Sequence, residues 1–331
     1  MENIKNITKN NITSDLNIMN KKILVIGSKG MLGRELVDIF KQDNDYVVTA
    51  WDREELDITN QKQVEEKISK LAPDIILNAA AYNAVDLCEK DKNEYKKAKE
   101  INGKAPGYLA KISKKIDAVF VHYSSDYVFS GMPEIPEPTG CTHSCSSCSL
   151  HENFVPQLGF DENALAEPIQ KYGETKLLGE DNAQKFADKF YIIRLSKLFG
   201  KPAQSKDAKR SFFDVMLEVG KKAEKNKTEV KVVDEETSCF TYAPDLAKKT
   251  KEIIEAEKPY GIYHVTNSDA CTWYDAAKEL YKQAKIKVKI VPVSGDEFPR
   301  PAQRPYVSTL INTKLNPLRS WKLALREYLK K

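Results

Sequence analysis

The chain has 331 residues, 41% of them apolar and 30% charged, the balance of an ordinary globular protein with room for one large core or two domains. Its 52 basic and 48 acidic residues are interspersed, so a net charge of +4 argues against a nucleic-acid or anionic-membrane partner. No apolar run approaches the ~20 residues of a membrane span, and pairs such as Lys114-Lys115, Lys221-Lys222 and Lys248-Lys249 read as solvated helix faces.

Residues 1–20 are Asn-rich and lack the apolar segment of a secretory signal. The expectation is a disordered tail, or upstream residues ahead of a start at Met19. Without such a signal, the six cysteines are expected as reduced thiols in a cytoplasmic protein.

From Lys21 the pattern becomes regular. The run "KILVIG" predicts a strand that ends at a glycine, and "MLGRELVDIF" follows with helical spacing. "DYVVTAW" predicts a second strand, "NQKQVEEKISKL" a helix, and "DIILNAAA" a third strand. A charged helix over about 92–114 leads to a fourth strand, "DAVFVHYS". Alternating strands and helices predict βαβ units, and continuous apolar strands predict a sheet covered on both faces.

Residues 131–168, rich in Pro, Ser, Thr, Cys and Glu, predict a long loop. The helix "QKYGETKLLGEDNAQKFA" and the strand "FYIIRLS" come next. Beyond Gly200 the spacing predicts helices over 210–225, 244–256 and 273–284, and strands at "EVKVVD", "GIYHVT" and "KVKIVPV". The end, from Asn312, reads as a helix broken at Pro317. A nucleotide-binding domain over 21–200 is expected, carrying an insertion over about 132–159. A smaller substrate lobe over 201–331 follows, with about 229–249 returning to the first domain.

"GSKGMLG" sets Gly27, Gly30 and Gly33 between the first strand and the first helix. A dinucleotide pyrophosphate needs a tight turn, close backbone approach and exposed helix N–H groups there. The turn residues Lys29, Met31 and Leu32 share that position. Taken alone, such glycines are often turn chemistry and nothing more; the place in the chain makes them candidates. Asp52, after the second strand, can accept from ribose hydroxyls, and Arg53 can pair with a 2′-phosphate, which leaves NADH and NADPH both open. Asp57-Ile58 and Ala79, Ala80 and Ala81 follow where small side chains would let a cofactor lie along the sheet edge.

"YGETK" places Tyr172 and Lys176 on one helix face. An ammonium beside a phenol is expected to lower the phenol's pKa and make it a general acid or base for carbonyl–alcohol interconversion. Lys176 can also hold a nicotinamide ribose. "HYSSDYVF" ends the fourth strand at the carboxyl edge, where Ser124 or Ser125 can donate to a substrate oxygen and Asp126 lies alongside.

These motifs, with "PDIILNAAAYNAVDLCE", "IIRLSKLFG", "GIYHVTNSDACTWYDAA" and "RPYVSTLINTKL", resemble the extended short-chain dehydrogenase/reductases, and among them the dTDP-4-dehydrorhamnose reductase family. The resemblance runs from Lys22 to about Leu315. It implies an α/β fold with a Rossmann-type doubly wound parallel sheet and a smaller C-terminal substrate-binding lobe. It implies NAD(P)H-dependent reduction of a nucleotide-linked 4-keto deoxysugar, with Tyr172 as proton donor, Lys176 on the cofactor ribose and Ser125 polarising the carbonyl. It leaves room for a homodimer. Lys197 stands where the family usually has a Trp facing the substrate, so a different keto sugar is an alternative. A third reading, from another class, is a non-catalytic subunit similar to the beta subunit of methionine adenosyltransferase, which shares this fold.

The insertion carries Cys141, Cys145 and Cys148 spaced C-x3-C-x2-C, with His143 and His151 close by. Three thiolates and one imidazole would suit a structural zinc, the same spacing is seen in iron–sulfur ligation, and a metal-free loop is the third alternative. None of these would carry hydride transfer.

Overall fold

The computed structural model describes residues 20–133, 158–204 and 209–330. The N-terminal tail and the segment holding Cys141, His143, Cys145, Cys148 and His151 lie outside the described residues. Among the described residues, no helix is long and apolar enough to cross a membrane, and no three His, Cys, Asp or Glu side chains gather as metal ligands.

The N-terminal half alternates as its pattern predicts. Strand β1 (Lys21–Ile26) leads to α1 (Met31–Lys41), β2 (Tyr46–Trp51), α2 (Gln61–Leu71) and β3 (Ile75–Asn78). Asn60 caps α2 by accepting from the Gln63 N–H, which fixes where that helix starts. Short α3 (Val85–Lys90) precedes α4 (Lys92–Ala98) and α5 (Ala105–Lys115). Strand β4 (Val119–Ser125), α6 (Lys171–Phe186) and β5 (Phe190–Leu195) complete this half.

One helix expected over 92–114 is in fact two, joined by a π-helical turn over Lys99–Lys104. Pro106, in the first turn of α5, has no N–H to give to the carbonyl four residues back, so the ladder widens there.

The central sheet has six strands in the order β2-β1-β3-β4-β5-β9, every neighbouring pair parallel, where β9 is Gly261–His264. Alternation sends Ile23 and Val25 to one face and Leu24 and Ile26 to the other. The first face packs on α1 through Leu32, Leu36 and Phe40, and on α8 (Ala243–Glu255) through Leu246, Ile253 and Ile254. The second packs on α2 and α5 through Val64, Ile68, Leu109 and Ile112. From β1 the chain runs first to β2 and then across to β3, so a crevice opens at the carboxyl ends of β1 and β3.

The later elements are β6 (Leu198–Phe199), α7 (Phe212–Asn226), β7 (Val230–Val233), β8 (Thr241–Tyr242), β10 (Asn267–Ser268), α9 (Trp273–Ala284), β11 (Ile290–Val293), β12 (Leu318–Ser320) and α10 (Trp321–Tyr328). The lobe's core is aromatic, with Phe199, Phe213, Phe240, Tyr242 and Trp321 fully buried together. Two expectations are corrected here. The segment that rejoins the central sheet is α8 with β9, whereas β7 pairs with β11 in the lobe, so 229–249 contributes its helix but not its strand. The C-terminal helix begins only at Trp321, capped by Ser320, because Pro317 and the short β12 pairing hold the preceding residues extended.

Beneath the sheet's carboxyl edge, the Arg194 guanidinium grips the buried Glu180 carboxylate with Nε at 3.0 Å and Nη2 at 2.6 Å. Its face lies 4.9 Å from the Phe129 ring centroid. Two histidines, His122 and His264, are also buried. Burial, aided by Lys176 for His122 and by Arg194 for His264, lowers both pKa values, that of His264 to about 3. The unfolded chain protonates both near pH 6.5 and the folded chain does not, so their stabilising effect is full above that pH and lost as pH falls. Each histidine is expected to cost up to ~1.4 kcal/mol per pH unit below that point. Urea-unfolding midpoints at about pH 7 and about pH 5 measure this, and equal midpoints would refute it.

Candidate active site

The turn after β1 is shaped by backbone contacts. Gly27 has φ +77°, and the N–H groups of Gly27 and Ser28 donate to the Trp51 carbonyl at 2.9 and 3.1 Å. A Cβ on Gly27 would lie 2.7 Å from the Ala80 nitrogen, and one on Gly33 would lie 2.0 Å from the Gly27 carbonyl oxygen. Only hydrogen fits at either position. Gly30, in extended conformation, starts α1 with no side chain capping the first amides. Those N–H groups at the head of α1, around Met31 and Leu32, form a cradle suited to a phosphate.

Asp52 braces this turn. One carboxylate oxygen accepts from the Lys29 N–H at 3.0 Å and the other from the Arg53 N–H at 2.8 Å, while the Lys29 ammonium pairs with Glu54. Arg53 is exposed beside it. Asp57 holds its own loop by accepting from the Thr59 N–H and hydroxyl, and Ile58 is buried behind it. Ala79, Ala80 and Ala81 line the crevice half-buried, and the Ala79 N–H is tied to the Ile26 carbonyl. Gly27, Gly33, Ala79 and Ala80 thus meet at one tight turn, which the Asp52 carboxylate holds through Lys29.

At the end of β4, strand alternation separates the two candidate serines. Ser124 is buried with an unpartnered hydroxyl, while Ser125 turns toward α6. Ser125 Oγ accepts from the Tyr127 N–H at 3.2 Å and donates to Asp126 Oδ1 at 3.0 Å, within hydrogen-bonding reach of the Tyr172 phenol. The Tyr172 hydroxyl donates to Asn83 Oδ1 at 3.4 Å, and its ring meets Tyr127 edge-on at 6.1 Å. Gln170 caps α6 through the Gly173 N–H and fixes the turn from which Tyr172 projects.

Lys176 sits one turn further and is buried, its ammonium donating to the Tyr123 carbonyl at 2.6 Å. Burial lowers its pKa to about 8, against the pull of Glu180. The expected depression of the Tyr172 pKa does not occur. Burial raises it, then the Asp126 charge does, and Lys176 spends its hydrogen bond on the strand.

Asp126 is the hub of the region. Its Oδ2 accepts from Ser196 at 2.7 Å and from Ser308 at 2.6 Å. Burial raises its pKa while these hydroxyls and that of Ser125 oppose. Next to it, Lys197 has φ +38° and places its ammonium 3.6 Å from the Trp273 ring centroid. Across the mouth, Arg304 pairs with Asp86 and Arg300 with Glu236, and Ala302 between them belongs to the same buried cluster as Tyr172.

Sequence reasoning missed Asn83, Glu236, Trp273, Arg300 and Arg304. "RPYVSTL" signalled that a C-terminal segment mattered, but nothing local to it says that it folds back over α6.

With this geometry in view, comparison with known proteins is decisive. A family model described as the RmlD substrate binding domain matches residues 21–331. The chain belongs to that family. A dTDP-4-dehydrorhamnose reductase from Clostridium acetobutylicum is 34% identical, covers 93% of this chain and 98% of its own, and superposes with a TM-score of 0.79. The dTDP-4-dehydrorhamnose reductase of Bacillus anthracis, solved in complex with NADP, is 30% identical, covers 94% and 99%, and gives the same TM-score of 0.79. A probable dTDP-4,6-dihydroxy-2-methyloxan-3-one 4-ketoreductase from Streptomyces antibioticus is 31% identical over 92% of this chain and 93% of its own. This RmlD-family chain thus has its Rossmann-type parallel sheet in common with solved reductases.

Gly33→Ala is expected to weaken dinucleotide binding by at least ~10-fold, since the new methyl group must push α1 off the Gly27 carbonyl. Fluorescence titration with NADPH measures it, and wild-type affinity would refute it.

Proposed function

We propose that this protein reduces the 4-keto group of a nucleotide-linked deoxysugar, most closely dTDP-4-dehydro-L-rhamnose to dTDP-L-rhamnose. Family membership makes the chain an NAD(P)H-dependent oxidoreductase. The observation that carries the finer reading is the convergence of Ser125, Tyr172 and Lys176 at the carboxyl edge of the sheet, beside the glycine crevice.

The crevice fits a dinucleotide: its glycines leave room that any Cβ would fill, and the head of α1 offers uncapped amides. Gly27 to Gly33 would hold the pyrophosphate, Asp52 and Arg53 the adenosine ribose, Ile58 and Ala79 to Ala81 the path between, and Lys176 the nicotinamide ribose. When bound, NAD(P)H supplies the hydride. Ser125 would re-aim its single O–H toward the carbonyl oxygen, its Oγ steadied by the Tyr127 N–H. Tyr172 would give its proton to the developing alkoxide. A raised phenol pKa suits that role, because the proton is still on Tyr172 when the alkoxide forms. Lys176, its pKa lowered by burial to about 8, stands one helical turn from Tyr172 and would steady the phenolate left behind with the N–H donors that the Tyr123 carbonyl does not take. Ala302 belongs to the buried apolar cluster that holds the Tyr172 ring.

Tyr172→Phe is expected to lower kcat by ~10²–10⁴-fold with NADPH affinity retained, since only the proton donor is lost. NAD(P)H oxidation with dTDP-4-dehydro-L-rhamnose reads the result. Full activity in the variant would sink the proton-donor role. Inactivity of the wild type with every keto sugar would favour the non-catalytic subunit instead.

Lys197 supports a second reading, reduction of a different keto sugar, and the Streptomyces relative is named for such a substrate.

A further inference from the structure

We propose that Lys197 is a specificity-determining residue that donates a hydrogen bond to an oxygen substituent on a ring carbon next to the carbonyl being reduced. This narrows the substrate class and rests on the ketoreductase reading above.

A small pocket lies beside the catalytic side chains, lined by Tyr127, Lys197, Glu236, Ser238, Trp273 and Ser308. It adjoins the reaction centre at two points, since Tyr127 meets the Tyr172 ring and Ser308 bonds Asp126, the neighbour of Ser125. A sugar whose carbonyl reaches Ser125 and Tyr172 would bring a neighbouring ring substituent within reach of this pocket.

Within the pocket, the ammonium of Lys197 is short of acceptors. It has three N–H donors, and among the described residues its one hydrogen-bond acceptor is the Glu236 carbonyl, at 3.5 Å. The rest of its company is aromatic, with Trp273 at 3.6 Å and Phe240 at 5.2 Å from ring centroid to nitrogen. Two carboxylates attract it without pairing. That of Glu236 is taken by Trp273 Nε1 at 2.8 Å and by Arg300, and that of Asp126 by three hydroxyls. Neither the Ser308 hydroxyl, which donates to Asp126, nor the Ser238 hydroxyl, paired with Ser196, accepts from the ammonium.

The arrangement is held in place. Lys197 keeps a left-handed backbone that L-residues seldom adopt, and its carbonyl accepts from the Thr241 N–H at 3.3 Å. The Trp273 ring beneath it is oriented by its bond to Glu236. Burial lowers the ammonium pKa to about 8, with Cys271, Asp126, Glu236 and Cys239 opposing, so most of it is charged at neutral pH. A ligand oxygen at this point completes the donor. A methyl group or hydrogen there leaves the ammonium desolvated and unpaired, which is how a polar site rejects a deoxy analogue.

The test compares kcat/KM for wild type, Lys197→Met and Lys197→Arg with two dTDP-4-keto sugars: a 6-deoxy sugar bearing a 3-hydroxyl and its 3-deoxy analogue. In the wild type, the sugar with the 3-hydroxyl is expected to exceed its 3-deoxy counterpart by ~10–100-fold. That ratio should collapse toward one in Lys197→Met and recover in part in Lys197→Arg, with NADPH affinity unchanged. An unaltered ratio in Lys197→Met, or an equal loss on both sugars, would overturn the proposal. If the wild type oxidises NAD(P)H with neither of them, the ketoreductase reading itself falls, and this inference with it.

Discussion

The carboxyl group of Asp126 holds the candidate site together. It accepts hydroxyl hydrogen bonds from Ser125 at the end of β4, Ser196 just after β5, and Ser308 on the C-terminal segment. Those three residues are far apart in the chain and belong to different parts of the fold. One buried acceptor thus sets the distance between sheet edge and lobe, and points Ser125 at the face of α6 that carries Tyr172. A buried carboxyl group is costly without such partners, and the three hydroxyls are what make its place tenable.

Around that hub, burial decides the chemistry more than charge pairing does. It raises Tyr172 and lowers Lys176 and Lys197, so a phenol and two lysines whose free values nearly coincide sit with pKa values moved apart. The Arg194–Glu180 pair supports this from below. Glu180 lies on α6 one turn past Lys176, and its clasp by Arg194 of β5 fixes the helix against the sheet. The buried ion pair thus ties the helix that carries Tyr172 to the sheet.

The second constraint is the closeness of the crevice. The turn after β1 packs so tightly on Ala79, Ala80 and α1 that hydrogen alone fits at Gly27 and Gly33. That closeness exposes the head of α1 at the point where the sheet's strand order reverses. The lobe is organised differently, by an aromatic core and by ion pairs that anchor the Arg300–Arg304 segment to Glu236 and Asp86. The pocket of the lobe reaches Tyr172 through the Tyr127 ring.

The sequence by itself determined what depends on local spacing. Apolar runs and helical periodicity named the βαβ elements, the glycine spacing marked the crevice, and the four-residue interval put Tyr172 and Lys176 on one helix face. The tertiary structure decided whatever rests on residues brought together from distant parts of the chain. It showed that Pro106 splits the charged helix, that β9 rather than β7 completes the sheet, and that Ser125 rather than Ser124 faces Tyr172. It also reversed the expected shift of the Tyr172 pKa, because the burial that raises it comes from packing and cannot be read from the interval to Lys176. Asn83, Trp273 and Arg300 reach the site only through folding, and no spacing in the chain connects them to it.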